Sequence, residues 1–326
     1  MVSTEEFIDN IIKGNISYLS RAITLIESTK EKDKIQAANL LQGCLSQTND
    51  SIRIGITGVP GVGKSTFIEA FGSYLTSLGK KVAVLAIDPS SSLNKGSILG
   101  DKTRMENLSK DKNAFIRPSP AGNTLGGVAK KTKESIILCE AAGFDIILIE
   151  TVGVGQSETL VNSMVDFFLL LKVAGTGDEL QGIKRGIMEM ADLIVINKAD
   201  GDNVKNTELA KKEFERALHL NPIKENKWSP LVTTCSSIQN KGIENIWIII
   251  NEFLKLCKSN NWFQKNRINQ NRNWLLQSLN QQLQDDFYNS KIVLQELNKQ
   301  MINVEKQDIT PSEASRILIE LYRKEN

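Results

Sequence analysis

The chain has 326 residues, enough for one large domain with appended segments and a sizeable hydrophobic core. Its 40 basic and 38 acidic residues give a net charge of +2, which provides neither the basic stripe of a nucleic-acid-binding protein nor an acidic tail. No apolar stretch approaches the roughly 18 residues of a membrane span, because even the run 167–171 is followed by Lys172. The acidic N-terminal fifteen residues match no secretory or transit peptide, so we expect a cytoplasmic protein without nucleic-acid or membrane partners.

The cysteines and the single histidine give no metal or redox motif. No C-x-x-C pair occurs, so we expect buried, reduced thiols at Cys44, Cys139, Cys235 and Cys257. His219 falls near the end of a helical-looking stretch and is interpreted as a helix-end residue. A lone histidine leaves no basis for a multi-His metal site or a Ser-His hydrolase.

Three parts of the chain differ in pattern. Residues 1–48 have helical spacing of apolar residues and form a predicted helical extension. Residues 49–258 alternate short apolar runs with amphipathic stretches, which predicts an α/β domain with a mostly parallel sheet. Residues 259–326 are rich in Asn and Gln with helical spacing, and their helices either cover the sheet or form a subunit interface. The predicted strands are 52–57, 82–87, 115–116, 145–150, 167–173, 193–197 and 231–235.

A phosphate-binding loop is predicted directly after the first strand, where residues 58–65 carry the full G-x-x-x-x-G-K-S pattern. Glycines let the backbone aim several N–H groups at phosphate oxygens, and the following helix N-terminus adds a positive dipole end. Lys64 would reach the β- and γ-phosphates and the Ser65 hydroxyl would ligate Mg²⁺. The alternative is a glycine-rich turn with a solvated lysine. The predicted nucleotide-binding residues here are Gly58, Pro60, Gly61, Val62, Gly63, Lys64, Ser65 and Thr66.

Carboxylates follow the second and fourth strands. Asp88 is well placed to hold metal water or orient an attacking water, although Asp-Pro also starts turns. Glu150, with Gly153 three residues on, matches the position where P-loop NTPases hold Mg²⁺ and sense the γ-phosphate. Val154 stands where small GTPases place a water-orienting Gln, which predicts slow intrinsic hydrolysis. Gln156 is nearby but is as easily a solvated helix-start residue.

Residues 175–185, after the fifth strand, are rich in glycine and charge for a structural loop. They are either a surface turn into a helix or a mobile segment that faces the nucleotide or a partner. We favour the mobile segment, because polar residues at this end of a parallel sheet face the ligand site.

The sixth predicted strand ends in the base-reading pattern N-K-x-D, formed by Asn197, Lys198 and Asp200. The aspartate carboxylate accepts hydrogen bonds from guanine N1–H and N2–H₂, whereas adenine would leave this acceptor unpaired. Ser236 and Ser237 follow the last strand, in the place of the second guanine-contact loop, and small residues there let backbone N–H groups approach the base.

Taken together, these segments resemble the MeaB/ArgK family, the GTPase chaperones of adenosylcobalamin-dependent methylmalonyl-CoA mutase and its relatives. The resemblance covers most of residues 50–250 and is carried by 58–65, 88–91, 96–105, 124–129, 150–158, 177–184 and 197–200. It implies a P-loop NTPase core with flanking N- and C-terminal helical extensions, the C-terminal one building a homodimer. It also implies GTP or GDP and Mg²⁺ as ligands.

The resemblance assigns roles residue by residue. Phosphate and Mg²⁺ contacts go to Lys64 and Ser65, and guanine recognition goes to Asn197, Lys198 and Asp200. The metal and water shell comprises Asp88, Asp101 and Glu150. Gln181 and Lys184 lie in the family's third switch, which communicates with the mutase and helps place catalytic groups. Ser237 and Asn123 depart from the family pattern, where Ala and Gly are common, but both are tolerable substitutions.

The implied role is gating the delivery of adenosylcobalamin to the mutase and protecting that enzyme. One alternative is a nickel-type metallochaperone GTPase, which would call for a His-rich tract or a Cys pair. Another is a kinase acting on amino-acid transport proteins. His219 does not fit the cobalamin-ligating motif Asp-x-His-x-x-Gly, so the chain is not expected to carry the cofactor itself.

Overall fold

The computed structural model describes residues 3–47, 50–87, 105–118, 125–151, 157–175, 185–219 and 222–325. Within them, seven strands form one sheet in the order β3-β2-β4-β1-β5-β6-β7, and every pairing is parallel. This confirms the predicted α/β fold class. Asp145 and Cys235 lie just outside the strands predicted to include them. The strands are β1 Ile52–Gly58, β2 Val82–Ile87, β3 Ala114–Arg117, β4 Ile146–Thr151, β5 Phe167–Val173, β6 Leu193–Asn197 and β7 Leu231–Thr234.

Helices connect these strands, flank the sheet and form both ends of the described chain. His219 is the C-terminal cap of α8, as predicted, and all four cysteines are free and buried. The helices are α1 Thr4–Ile12, α2 Ile16–Glu27, α3 Glu31–Leu45, α4 Lys64–Ser77, α5 Leu125–Ala141, α6 Ser157–Asn162, α7 Arg185–Met190, α8 Val204–Leu218, α9 Ile243–Ser259, α10 Trp262–Asn289, α11 Lys291–Glu305 and α12 Pro311–Glu325.

The central strands are buried because helices cover both faces of the sheet, as is usual for parallel sheets. One apolar cluster fills each face. Gly55 in β1 permits a close approach of α6 and of the segment after it: a Cβ at this position would lie 2.8 Å from Val161 Cγ1 and 3.1 Å from Val165 Cγ2. Any side chain at residue 55 would therefore push this helix away from the strand.

The N-terminal helices α1, α2 and α3 pack on one another and on α5. Side-chain oxygens of Ser3 and Asn15 cap the first two of them. Glu27 at the end of α2 forms an ion pair with Arg117 at the end of β3, and its carbonyl oxygen accepts from Lys131 Nζ at 2.9 Å. Polar contacts therefore join the helical extension to the edge of the sheet.

A buried ionic network lies at the amino end of the sheet. Arg53 Nε donates to Glu140 Oε1 at 2.8 Å. Arg267, in the first turns of α10, donates from Nε and Nη2 to the two Asp166 carboxylate oxygens at 2.9 and 2.7 Å, and Nη2 also donates to the Ser51 carbonyl oxygen at 2.7 Å. The network joins the first turns of α10 to the start of β1, the strand that precedes the phosphate loop.

The chain divides into two compact units, which meet in sequence at Arg267 and Ile268. In the second unit, α11 and α12 pack against each other, and the Phe287 ring contacts the ring of Tyr322 edge-on. Five aliphatic side chains of α10 are exposed, namely Ile268, Leu275, Leu276, Leu279 and Leu283. Among the described residues, no helix has the length and apolar character needed to cross a lipid bilayer.

Candidate functional site

The loop between β1 and α4 has the backbone shape of a phosphate cradle. Gly61 and Gly63 have φ angles of 80° and 91°, in the region that disfavours side chains, and Gly63 is the N-cap residue of α4. Because α4 begins at Lys64, the N–H groups of its first turn have no acceptor within the helix. They and the helix dipole suit a phosphate group at this position.

Lys64 turns back into the loop. Its side chain is buried, and Nζ donates to the carbonyl oxygens of Gly58 at 2.7 Å and Val59 at 3.3 Å. Burial lowers the pKa of Lys64, whereas the negative charges of Glu150 and Glu158 oppose this shift. A phosphorylated ligand could therefore compete with two backbone carbonyls for this ammonium group.

Glu150 lies near the carboxyl end of β4, in register with Ile56 of β1, and is 7% exposed. One residue later, the Thr151 hydroxyl donates to Thr57 Oγ1 at 2.8 Å and joins the two strands beneath the phosphate loop. Ser65 lies in the first turn of α4. A carboxylate and a hydroxyl from adjacent elements are oxygen ligands of the kind Mg²⁺ uses, so the described residues fit this metal.

Asn197 connects the phosphate loop to the segment after β7. Its Nδ2 donates to the Val62 carbonyl oxygen at 2.9 Å. Its Oδ1 accepts from Ser237 Oγ at 2.8 Å, from Ser237 N at 3.3 Å and from Cys235 Sγ at 3.4 Å. Three segments distant in sequence therefore meet at one buried amide.

The other predicted base-contacting residues lie beside this amide. Lys198 has a φ of 60°, and its Nζ donates to the Gly61 carbonyl oxygen at 2.9 Å. Asp200 is half-buried, and its Oδ2 accepts a hydrogen bond from Ser236 Oγ. The loop after β7 is closed by paired backbone bonds between Ser236 and Lys241, at 3.0 and 3.1 Å. These two bonds fix the shape of the loop, and the hydrogen bond from Ser236 to Asp200 joins the loop to the segment after β6.

The structure thus brings together the predicted residues of the phosphate loop, the residues Asn197, Lys198 and Asp200, and the two serines after β7. Glu150 joins this group through its charge interaction with Lys64. The other predicted site residues, Asp88, Asp101, Gly153, Gln181 and Lys184, lie outside the described residues.

Two residues without a predicted role also belong to this site. Cys235 contacts Asn197, and burial raises its thiol pKa to about 12, which keeps it protonated as a hydrogen-bond donor. Glu158 is buried in α6, and its negative charge opposes the lowering of the Lys64 pKa. The burial of Glu158 follows from the packing of α6 and is not visible in the sequence.

Comparisons with known proteins agree with this site. A family model described as methylmalonyl-CoA mutase-associated GTPase MeaB matches residues 19–291. A protein named GTPase ArgK from Escherichia coli is 42% identical over 98% of this chain and 96% of its own length. A putative GTPase from Caulobacter vibrioides is 50% identical over 85% of each chain. The crystal structure of an LAO/AO transport system kinase superposes with a TM-score of 0.79 at 36% identity, covering 98% of this chain and 97% of that one.

A parallel sheet with the G-x-x-x-x-G-K-S loop after its first strand and the N-K-x-D segment after its sixth defines a P-loop GTPase. The named relatives are GTPases as well. Within this class, the chain belongs to the family of the methylmalonyl-CoA mutase-associated GTPase MeaB. The resemblance, the fold class and the assignment as a GTPase are confirmed.

Proposed function

We propose that this protein is a GTP-dependent chaperone that gates adenosylcobalamin delivery to a methylmalonyl-CoA mutase-type enzyme and protects that enzyme. The family match over residues 19–291 carries the proposal, because the family is named for its association with methylmalonyl-CoA mutase. Binding and hydrolysis of GTP at the carboxyl edge of the sheet would switch the protein between states with different affinity for the mutase.

The residues of the site divide this work. Residues 58–66 hold the phosphates with backbone N–H groups and the Lys64 ammonium, and Asp200 selects guanine by accepting from its N1–H and N2–H₂. Asn197 and Ser237 support this arrangement through their hydrogen bond of 2.8 Å. Bound Mg²⁺ supplies positive charge to the phosphates. We assign its ligand shell to Ser65 and Glu150, with Asp88 and Asp101 from the sequence pattern.

Hydrolysis by the isolated protein is proposed to be slow. Val154 replaces the Gln that orients water in small GTPases. Gln181 and Lys184 are proposed to supply catalytic groups when the partner is bound, so the mutase would accelerate turnover. A purified protein that turns GTP over equally fast with and without the mutase would contradict this part of the proposal.

We also propose that the C-terminal extension, starting near residue 259, forms a homodimer through the exposed apolar residues of α10. Between Ile268 and Leu283 the only charged side chain is Arg272. A nearly neutral apolar row suits a second copy of itself, because no charge then needs a complementary partner. Leu279→Glu should convert a dimer into a monomer in analytical ultracentrifugation, whereas Leu209→Glu, at an exposed position of α8, should not. A monomeric wild-type protein would contradict this proposal.

The mutase proposal is tested with purified components. Association of the full chain with a methylmalonyl-CoA mutase from the same organism is measured by calorimetry with GDP, with a nonhydrolysable GTP analogue and without nucleotide. We expect binding whose affinity changes with the nucleotide, together with nucleotide-dependent transfer of adenosylcobalamin to the mutase. The Lys64→Ala variant should lose the nucleotide dependence. An absence of association in all three states would contradict the proposal.

The name of the superposed crystal structure motivates one alternative, a phosphotransferase acting on a transport protein. GTP labelled in the γ-phosphate separates the two functions. Release of labelled phosphate supports the GTPase proposal, whereas transfer of the label to a protein acceptor supports the kinase.

A further inference from the structure

The hydroxyl groups of Thr57 and Thr151 form a buried hydrogen bond near the carboxyl ends of two neighbouring strands. Their oxygen atoms are 2.8 Å apart, and the two residues are 1% and 0% exposed. Valine has the same shape as threonine but carries no polar group whose burial costs free energy. Two valines would therefore fill this place at a lower cost, and the hydroxyl pair calls for a reason beyond packing.

The bond lies where β1 and β4 separate. Among the described residues, the last backbone pair between these two strands is Ile56 with Glu150. Beyond it, β1 continues to pair with β5, and β4 continues to pair with β2. The chain leads from β1 towards β2 and from β4 towards β5, in opposite directions across the sheet. Parallel sheets bind their ligands at such a switch point, so the hydroxyl bond crosses the floor of the ligand crevice.

The bond acts on the backbone that carries Glu150. Leu148 of β4 belongs to the apolar cluster that includes Phe71 of α4. Glu150 points to the same face of the sheet as Leu148, and Thr151 points to the other face, because successive side chains of a strand alternate. Ser65 lies in the first turn of α4. A fixed end of β4 therefore sets the distance between the Glu150 backbone and the start of this helix.

We propose that Thr57 and Thr151 are positioning residues that hold Glu150 at the distance from Ser65 at which both side chains bind Mg²⁺. Their hydroxyl bond joins β1 to β4 beyond the last backbone pair, where the end of β4 would otherwise shift relative to the phosphate loop. Mg²⁺ requires near-ideal octahedral geometry with metal–oxygen distances of about 2.0–2.1 Å, so a small shift of one ligand weakens its binding. This inference rests on the proposed function, which assigns Ser65 and Glu150 to the metal.

The test measures Mg²⁺ binding to the complex of the full chain with GDP, for the wild type, Thr57→Val, Thr151→Val and the double variant. Magnesium is titrated into each complex, and GDP affinity is measured separately with a chelator by competition against a fluorescent GDP. We expect the apparent Mg²⁺ affinity to fall about tenfold in every variant, as is usual when a partner of a metal ligand is removed. Affinity for GDP with the chelator should stay within about twofold of the wild type, because the phosphate loop keeps its own backbone donors.

The double variant separates positioning from stability. A single substitution leaves one buried hydroxyl without its partner and destabilises the fold, whereas replacing both partners by apolar groups of the same shape is nearly neutral. We expect the double variant to unfold near the wild-type denaturant midpoint and still to bind Mg²⁺ about tenfold more weakly. A merely structural role predicts that Mg²⁺ affinity recovers together with stability.

Two further variants serve as controls. Thr151→Ser keeps the hydroxyl group and should bind Mg²⁺ within about twofold of the wild type. Thr132→Val removes an equally buried hydroxyl, which is in a residue 2% exposed and donates to the Val128 carbonyl oxygen at 2.9 Å within α5. Its Mg²⁺ affinity should be unchanged. If the double variant does not fold, Thr151→Val beside Thr151→Ser provides the same comparison.

The outcomes separate this proposal from the one on which it rests. Wild-type Mg²⁺ affinity in the double variant would overturn the positioning role and leave the metal assignment in place. An equal loss of GDP affinity with magnesium and with the chelator would also overturn the positioning role. A wild-type protein whose GDP binding is not strengthened by magnesium would overturn the assignment of Ser65 and Glu150, and the role of the two threonines with it.

Discussion

The side-chain amide of Asn197 donates to the backbone carbonyl of Val62 at 2.9 Å, and this bond joins the N-K-x-D segment after β6 to the phosphate loop after β1. Both groups are buried. Since the opposite side of the same amide accepts from Ser237, the geometry of the phosphate loop depends on the segments proposed to contact the base.

Replacing this amide should therefore damage stability and binding together. Asn197→Ala leaves the Val62 carbonyl and the Ser237 N–H without their buried partner, which we expect to cost about 2–4 kcal/mol of unfolding free energy. GTP affinity should fall at least about tenfold. Denaturant titration and fluorescent-nucleotide binding measure the two effects. Asn251→Ala, at an exposed position of α9, is the control, and equal effects of both substitutions would contradict the role of Asn197.

Gly63 tests the shape of the phosphate loop. Its φ is 91°, and a Cβ there would lie 3.0 Å from Asn197 Nδ2, so Gly63→Ala combines backbone strain with a steric conflict. The strain alone should cost about 1–2 kcal/mol. Gly79 has a φ of 78° with no atom within 4 Å of such a Cβ, so Gly79→Ala reports the strain without the conflict. We expect the larger destabilisation in Gly63→Ala, which has both the strain and the conflict, and loss of GTP affinity only in that variant. Undiminished GTP affinity in Gly63→Ala would contradict the described loop geometry.

The sequence predicted which described segments meet at the carboxyl ends of the strands, because each of them follows a strand and carries a local motif. Residues 58–65 and 197–200 could be recognised from spacing alone, and parallel strands bring their carboxyl ends together. The ionic network at the amino end of the sheet could not be predicted in the same way. Arg267 donates to the Ser51 carbonyl oxygen across 216 positions, and no spacing in the sequence marks either residue. The burial of Glu158 was not predicted for a related reason, since it depends on how closely α6 approaches Gly55.

The buried ionic network at the amino end of the sheet should contribute strongly to the free energy of unfolding. Arg267→Ala leaves the nearly buried Asp166 carboxylate without its bidentate partner, which typically costs about 3–5 kcal/mol. Lys299 pairs with Glu296 at 3.4 Å on an exposed surface, so Lys299→Ala should cost about 0–1 kcal/mol. Chemical denaturation compares the two variants. Similar small losses would show that the network contributes little.

The raised pKa of Glu134 predicts a pH dependence of the free energy of unfolding. Burial raises the pKa of this carboxyl group to about 7, against a smaller opposing effect of Lys130 and Lys131. Because the folded state then binds a proton more tightly than the unfolded state, the stability from this group is present at low pH and is lost as pH rises through about 7. Glu134→Gln should be more stable than the wild type at pH 8.5 by about 2 kcal/mol, with a smaller difference at pH 5. Thermal melts across this range measure it, with the exposed Glu252→Gln as control, and a pH-independent difference would contradict the prediction.

The proposed pocket at the carboxyl ends of the strands should be selective for guanine nucleotides. Competition between GTP and ATP tests this selectivity most directly. The wild-type protein should bind GTP at least about 100-fold more tightly than ATP, because adenine leaves the Asp200 carboxylate without its two donors. In Asp200→Ala this preference should largely disappear. Equal affinities of the wild-type protein for GTP and ATP would contradict the account.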